Sequence, residues 1–157
     1  MDRNLRQFES ITRRAKKFNY ANPVEDLHQF EERNVHAGLP VNVRNLFDDA
    51  HYCQATFEAF KYLDKEIQRH SLNTESGFKL MMQVFGGTSP AIKLNPLSNT
   101  TEIDEQEGYK FIFAGGMKAI RNPRGHEYTI SDDIDTCLDH LCFVSMLLRK
   151  LEESGYR

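Results

Sequence analysis

Residues 101–126 read TEIDEQEGYKFIFAGGMKAIRNPRGH and carry the clearest helical pattern of the chain. Thr101 is predicted to cap a helix whose first turn is acidic, which the positive end of a helix dipole favours. Tyr109, Phe113 and Met117 then recur at intervals of four, the spacing of one face of an α-helix. The stretch therefore predicts a long amphipathic helix, and the next position on its apolar face is Arg121.

The segments on either side of this stretch also show helical periodicity. Apolar residues between Val41 and Ser71 recur at intervals of three and four and predict one long core helix. The segment ESGFKLMMQVFG (75–86) predicts a shorter helix that Gly86 and Gly87 end. Ser131 is predicted to cap a third long helix, which runs to about residue 154. Residues 86–100 lie between the helix predicted from segment 75–86 and the helix that Thr101 is predicted to cap. They are rich in Gly, Pro, Asn and Ser and predict a long irregular loop.

No segment alternates with period two, so we expect an all-α, up-and-down bundle of four to six helices. Residues 1–35 are more polar and include the basic cluster RRAKK (13–17), which favours a solvated helix or arm. Within them, Asn22 and Pro23 predict the start of a short helix. We therefore divide the chain into a helical extension, residues 1–35, and a helical domain, residues 36–157.

Composition excludes several classes of protein. The chain has 157 residues and a formal net charge of −3, whereas domains that coat nucleic acid carry a strong positive excess. Any contact with nucleic acid is therefore expected to be local. No segment has the roughly 18 apolar residues of a membrane span, and the N-terminus lacks a secretion signal. We expect a cytoplasmic protein that does not engage a membrane.

The usual cofactor motifs are missing from the sequence. Cys53, Cys137 and Cys142 form no C-x-x-C pair, and the six histidines show no zinc-ligand spacing. The chain also lacks the glycine-rich loops that bind nucleotide phosphates. We expect no metal and no cofactor, and we expect the three thiols to be buried and reduced.

The hexapeptide RNPRGH (121–126) is the strongest candidate site. Pro123 and Gly125 favour a bend, which is expected to bring Arg121 and His126 together although they point about 140° apart on a straight helix. Arginine holds two phosphate oxygens and histidine exchanges a proton near neutral pH, so the pair suits work on a phosphodiester. Asn122 is expected to orient the imidazole or bind the phosphate. In the simpler alternative, Arg121 only extends to water at a helix end.

Two further cations extend this candidate site. Arg124 is expected to hold a flanking phosphate of the substrate, and Lys118 to line its path, although a solvated lysine is the simpler interpretation of the second. Gly115 and Gly116 each cost roughly 1 kcal/mol within a helix, which close approach of another helix would offset. That neighbour is either a second protomer or a helix of the same chain.

The hexapeptide resembles the Arg-x4-6-His motif of the HEPN superfamily, with Asn122 as the polar residue that commonly follows the arginine. The resemblance extends to LFDDAHYCQATFEAFKYLDKEI (46–67), GFKLMMQVFG (77–86), EQEGYKFIFAGGMKAIRNPRGH (105–126) and LLRKLEE (147–153). Together these blocks resemble the Ymh-type branch, which is grouped with abortive-infection proteins. The resemblance covers roughly residues 36–153.

The resemblance implies a HEPN-like helical bundle that forms a homodimer with a composite active site. It implies a metal-independent endoribonuclease of anti-phage defence or of a toxin–antitoxin system. In that role His126 assists attack by the RNA 2′-hydroxyl or protonates the leaving oxygen, and Arg121 stabilises the charge on phosphorus. The expected products are a 2′,3′-cyclic phosphate and a 5′-hydroxyl. The resemblance leaves two alternatives open, control by an antitoxin or sensor protein and action by the protein alone. One form of such control is modification of Tyr128 by a nucleotidyltransferase antitoxin. The alternative is a non-catalytic dimerisation or adaptor module that binds RNA, a nucleotide or a partner protein.

Overall fold

A computed structural model of the chain describes residues 27–127 and 129–156, and the regular secondary structure in these ranges is entirely helical. In chain order the helices are α1 (Gln29–Glu32), α2 (Val41–Asp48), α3 (Tyr52–Ser71), α4 (Gly77–Val84), α5 (Thr100–Gly116), a π-helix (Met117–Arg121), α6 (Asn122–His126) and α7 (Ile134–Glu153). The predicted all-α bundle is confirmed.

The chain divides into two units, residues 1–35 and residues 36–157. Helix α1 belongs to the first unit and all the other helices named above belong to the second. The arm or helix predicted for residues 3–17 and the cap predicted at Asn22 lie outside the described residues. None of the helices in the described ranges is long and apolar enough to cross a lipid bilayer.

Helix α3 is the centre of the second unit, where it packs against α2, α4, the π-helix, α6 and α7. Its apolar face places Phe60, Leu63 and Ile67 in the core, where each side chain is fully buried. Full burial of one such side chain contributes about 1.5–3 kcal/mol to folding. Phe113 of α5 and Leu141 of α7 are equally buried, so the periodic pattern of the sequence does mark the core.

The single helix predicted for residues 41–71 is wrong, because the structure has two helices there. Ala50 adopts a left-handed backbone conformation, with φ of 58°, which is unfavourable for any residue with a Cβ. The break is stabilised by hydrogen bonds from the His51 N–H to the Leu46 carbonyl (2.8 Å) and from the Ala50 N–H to the Phe47 carbonyl (3.0 Å). Apolar residues continue on both sides of the break, so periodicity does not reveal it.

Two predicted helix caps are also wrong, each by two residues. Helix α5 is capped by Asn99 rather than Thr101, since the Asn99 side chain accepts the Glu102 N–H at 3.0 Å. Helix α7 is capped by Asp133 rather than Ser131. Asn, Asp, Ser and Thr cap helices with similar strength, so a run of such residues does not identify the cap.

The irregular segment predicted for residues 86–100 is confirmed, since residues 85–99 contain no helix. Ile92 and Leu94 of this segment are buried. The Ile92 N–H donates to the Val84 carbonyl at 3.0 Å, and the Leu94 N–H donates to the Gln106 side chain at 2.8 Å. The segment is therefore packed against α4 and α5.

Candidate functional site

The hexapeptide 121–126 continues a helix, so the bend that the sequence predicts there is wrong. Helix α5 passes directly into the π-helix and then into α6, which ends at His126. Asn122 donates its N–H to the Met117 carbonyl, five residues earlier, which is the hydrogen bond of a π-helix. Pro123 follows, and a wide turn next to proline relieves the clash that its ring makes in a regular α-helix. The proline is therefore accommodated by a π-bulge instead of a turn.

This continuity separates the two principal candidate residues. Arg121 and His126 lie five positions apart across α6, so their side chains leave the helix about 140° apart. The structure places both near one end of the bundle but does not bring them together on one face of a single chain. A site that uses both needs either a change of conformation or a second protomer.

Arg121 is half-buried against α3. Its guanidinium lies over the Phe57 ring, with Cζ 5.4 Å from the ring centroid. A Cβ built on Gly125 would lie 2.8 Å from Cε2 of the same ring, so glycine at this position permits close packing. Because Arg121 and Gly125 are four residues apart, they share the helix face that packs on Phe57.

Polar contacts fix the Arg121 side chain further. Its Nη1 donates to Oδ1 of Asn122 at 3.2 Å. Its Nε is buried and has no hydrogen-bond partner among the residues that the structure describes. Buried donors without a partner are rare in proteins. The side-chain oxygen of Asn122 is therefore directed at Arg121. The sequence alone had left open whether Asn122 orients His126.

A buried carboxyl group lies behind Arg121, and sequence reasoning missed it. Asp64 of α3 is 2% exposed and accepts the Gly77 N–H at 2.8 Å. A Cβ built on Gly77 would lie 3.8 Å from Arg121 Nη1, so the start of α4 contacts both groups. Burial raises the pKa of Asp64, while the Gly77 N–H and the charge of Arg121 act to lower it.

The signal for Asp64 was present in the sequence. The residue lies on the apolar face of α3, next to Leu63 and four positions after Phe60, and both neighbours are fully buried. An ionisable residue in such a position needs a partner. Here the partners are the Gly77 amide and the guanidinium of Arg121.

His126 is the last residue of α6 and is exposed. Within residues 27–127 and 129–156 its imidazole takes part in no hydrogen bond or ion pair. A histidine in this position is accessible to a ligand and to solvent protons. Tyr128, the predicted site of modification, lies outside the described residues.

Arg124 has a different environment from the other candidate residues. Its Nε donates to Oδ2 of Asp132 at 2.7 Å, its Nη2 donates to the second oxygen of the same carboxylate, and its Nη1 donates to the Ile120 carbonyl at 2.9 Å. The side chains of Arg124 and Asp132 are 9% and 2% exposed. This bidentate pair ties α6 to the segment before α7, which leaves Arg124 poorly placed to hold the phosphate of a substrate.

The surroundings of this ion pair are also buried. His140 lies with Nδ1 3.8 Å from Oδ2 of Asp132, and its pKa is lowered by burial and by the charge of Arg124, with Asp132 opposing. Burial raises the pKa of the Cys137 thiol to about 11, so this cysteine is a neutral thiol at physiological pH. Cys137 is therefore not an activated nucleophile.

Lys118 is exposed on the π-helix. Its Nζ lies 4.9 Å from the ring centroid of Phe78 on α4, and that ring is itself partly exposed. A cation over an exposed aromatic ring offers a nucleic acid both a charge for phosphate and a surface for base stacking. In the part of the chain that the structure describes, no group of three His, Cys, Asp or Glu side chains is arranged to hold a metal ion.

These residues provide a fixed cation with a second cation, Lys118, on the same π-helix, and an accessible imidazole on a different side of the helix. Arg121 can bind an anionic oxygen without reorganisation, because Phe57 and Asn122 already hold it. His126 can exchange protons with a ligand. Such an arrangement suits a phosphate-bearing ligand.

A family model described as "Protein of unknown function (Hypoth_ymh)" matches residues 33–151. The matched region includes α2 through α6 and most of α7, and it therefore contains all the residues of the candidate site. No curated protein and no solved structure matches the chain.

Proposed function

We propose that this chain, which belongs to the Hypoth_ymh family of proteins of unknown function, is a metal-independent endoribonuclease of the HEPN type. The observation that carries the proposal is the state of Arg121. Its guanidinium is held on Phe57 and its Nε has no hydrogen-bond partner among the described residues, and an exposed histidine ends the same helix. Because Nε itself is buried, an oxygen of an RNA phosphate would bind the terminal nitrogens of the guanidinium, of which Nη1 already donates to Asn122.

In the proposed reaction, His126 removes the proton of an RNA 2′-hydroxyl. The 2′-oxygen then bonds to the adjacent phosphorus, and the bond from phosphorus to the 5′-oxygen breaks. That oxygen takes a proton from a water molecule, and the hydroxide so formed is neutralised by the proton that His126 removed. The products are a 2′,3′-cyclic phosphate and a 5′-hydroxyl. Positioned acid–base help supplies about 10²- to 10⁴-fold of rate, and a preorganised charge such as Arg121 supplies about 10²- to 10³-fold.

The proposal includes a dimer because the side chains of Arg121 and His126 diverge. Since Arg121 and His126 leave α6 about 140° apart, we assign each active site an arginine from one protomer and a histidine from the other. Phe111 and Ile112 are exposed apolar residues in the second half of α5, and they provide a surface for such pairing. This surface lies on the same continuous helix as the candidate site.

In this proposal the nuclease serves anti-phage defence or a toxin–antitoxin system, and an antitoxin or sensor protein controls it. The support for this role is the resemblance of residues 36–153 to HEPN proteins of the abortive-infection group. Toxicity on expression, relieved by Arg121→Ala, would support the role.

A nuclease assay with matched variants tests the activity. Purified protein is incubated with mixed RNA in the presence of EDTA, and the termini of the products are identified. We expect cyclic phosphate ends from the wild type, and a loss of about 10²-fold or more in rate for Arg121→Ala and for His126→Ala. Arg69→Ala is the control, because Arg69 is an exposed arginine paired with Glu66 on α3.

A non-catalytic adaptor is the second candidate function. It is favoured by the separation of Arg121 and His126 on one chain and by the exposed apolar residues of α5. In this case RNA or a nucleotide binds at Arg121 without cleavage. Binding of RNA that Arg121→Ala weakens, with no cleavage by the wild type, would favour the adaptor over the nuclease. Cleavage that persists in both variants would refute the assigned site.

A further inference from the structure

A cavity of about 460 Å³ lies between the end of α4 and the first half of α5. Its walls include Phe85, Gly86, Gly87, Ile103, Glu107 and Lys110. This volume falls in the range of sites that bind small organic groups. The cavity is separate from the surroundings of Arg121, and nothing in the proposed catalytic step uses it.

The wall that faces α5 is rigidly held. Gln106 is buried, and its Nε2 donates to the carbonyls of Phe85 and Ile92, both at 3.0 Å. Its Oε1 accepts the Leu94 N–H at 2.8 Å. The Gln106 side chain thus holds residues 85, 92 and 94 of the segment that borders the cavity. The cavity is therefore formed before any ligand enters.

Gly86, Gly87 and Thr88 line one side of this cavity. Their backbone N–H groups make no hydrogen bond within the described part of the chain. Gly87 has a φ of 83°, which favours glycine, and a Cβ built on Gly86 would lie 2.5 Å from the Met82 carbonyl oxygen. The backbone therefore requires glycine at both positions, and neither residue has a side chain that could fill the cavity.

Side chains of both charges lie opposite. Lys110 donates from Nζ to Oε1 of Glu107 at 3.0 Å, and Glu107 is 59% exposed. Because the carboxylate has a second oxygen and further lone pairs, it can accept additional hydrogen bonds. The cavity thus offers apolar walls, backbone donors and one carboxylate acceptor.

We propose that this cavity is a subsite for a guanine base of the RNA. Guanine presents two adjacent donors, N1–H and N2–H, which suit a carboxylate such as Glu107. Its O6 and N7 are acceptors, which suit the amides of Gly86–Thr88 and the ammonium of Lys110. The planar ring packs against the exposed Ile103 side chain.

The other three bases fit this set of groups less well. In adenine, the lone pair of N1 faces the carboxylate beside a single donor group. In cytosine, the lone pair of N3 does the same. Uracil has one ring donor between two carbonyl oxygens, which the carboxylate repels. The acceptor at Glu107 therefore selects for guanine.

This subsite rests on the proposed ribonuclease function, and its position fits that function. Lys110 and Arg121 lie eleven residues apart on one continuous helix, a separation of roughly 16 Å along its axis. Lys118 and the Phe78 ring lie between them. A guanine in the cavity therefore belongs to a nucleotide removed from the bond that is cut.

Nucleotide binding tests the subsite without relying on cleavage. The four nucleoside 5′-monophosphates are titrated into isotopically labelled protein, and the amide resonances are followed. All four ligands share the phosphate, so the ratio of their dissociation constants reports the preference for one base. We expect guanosine monophosphate to shift Gly86, Gly87 and Thr88 and to bind about tenfold or more tightly than the others. Glu107→Gln should abolish that preference, whereas Arg121→Ala should retain it.

Equal binding of all four nucleotides, or resonance shifts confined to other regions, would overturn the subsite. The proposed function fails separately, if guanosine monophosphate binds as expected and no RNA is cut. Cleavage of RNA distinguishes a base of the substrate from a free nucleotide. If Glu107→Gln leaves the choice of cut sites unchanged although guanosine monophosphate binds, the cavity holds a free guanine nucleotide and is not an RNA subsite.

Discussion

Arg121 is held by neighbours that come from two parts of the chain, helix α3 and the adjacent residue Asn122. Phe57 of α3 supports its guanidinium, Asn122 accepts a hydrogen bond from it, and Asp64 supplies a buried carboxyl group nearby. A side chain fixed in this way loses little entropy when it binds phosphate. Preorganisation of this kind is what the stabilisation of a transition-state charge requires.

Arg124 illustrates how a neighbouring arginine of the same hexapeptide acquires a structural role. Breaking a buried ion pair by removing one partner typically costs about 3–5 kcal/mol. Since both side chains of the Arg124–Asp132 pair are nearly inaccessible, we expect Arg124→Ala to lower the free energy of unfolding by about 3 kcal/mol, measured by urea denaturation.

Arg69→Ala is the control for this variant and should lose much less stability, because Arg69 pairs with Glu66 on the exposed side of α3. Arg124→Lys should fall between the wild type and Arg124→Ala, since lysine keeps the charge and loses the bidentate geometry. Equal urea midpoints for Arg124→Ala and the wild type would refute the structural role.

Asp64 gives a prediction about pH. Burial raises its pKa above the ordinary value of 3.8, so the folded chain binds this proton more tightly than the unfolded chain. The resulting stabilisation is present below pH 3.8 and is lost as the pH rises through the folded-state pKa. We expect Asp64→Asn, which keeps an acceptor for the Gly77 N–H, to be more stable than the wild type at neutral pH.

The advantage of Asp64→Asn should shrink as the pH falls toward 3.8, the ordinary value for aspartate. Urea denaturation of both proteins across this pH range measures the difference, in which the other titrating groups cancel. A constant difference at every pH would show that the charge of Asp64 is not the cause.

The two glycines at the end of α5 have different neighbours, which settles one alternative that the sequence left open. A Cβ on Gly116 would lie 2.8 Å from the Phe143 ring and 3.0 Å from the Phe60 ring, whereas a Cβ on Gly115 would meet nothing within 4 Å. Gly116 therefore packs against helices of the same chain. Gly115 lies on the exposed side of α5.

Matched alanine substitutions test this difference. We expect Gly116→Ala to lower the free energy of unfolding by about 1–3 kcal/mol through overpacking. Gly115→Ala should raise it by up to about 1 kcal/mol, because alanine favours the helix. Both values come from denaturation at the same protein concentration, and a loss of stability in both variants would contradict the assignment.

The helices and the irregular segment follow from apolar spacing and from glycine and proline content, so the sequence predicts them well. Local backbone conformations are harder to predict. Ala50 adopts a left-handed conformation without being Gly or Asn, and Pro123 lies inside a helix because the preceding turn is a π-helix. The proline suggested a bend that would bring Arg121 and His126 together, and only the structure shows their divergence. Asp64 was missed because its partner Gly77 is distant in sequence.

The exposed apolar residues of α5 lead to a prediction about assembly. Phe111 is 54% exposed, and burial of such a ring against a second copy favours association. We expect the wild type to sediment as a dimer and Phe111→Glu to sediment as a monomer with at least about tenfold lower nuclease activity, because a charge in an apolar interface is costly.

Met146→Glu is the control for Phe111→Glu, since Met146 is an exposed apolar residue on α7. It should leave both the sedimentation and the activity unchanged. A wild-type protein that is active as a monomer would refute the assembly.

Complementation between two inactive variants tests most directly the claim that two protomers share an RNA-cleaving site. Arg121→Ala and His126→Ala proteins are mixed, dissociated and allowed to reassociate, and RNA cleavage is measured against each variant alone. Half of the reassociated dimers then contain one intact site, formed by Arg121 of one protomer and His126 of the other. Since a wild-type dimer has two such sites, we expect recovery of about one quarter of wild-type activity. A mixture that stays as inactive as its components, beside an active wild type, would contradict it.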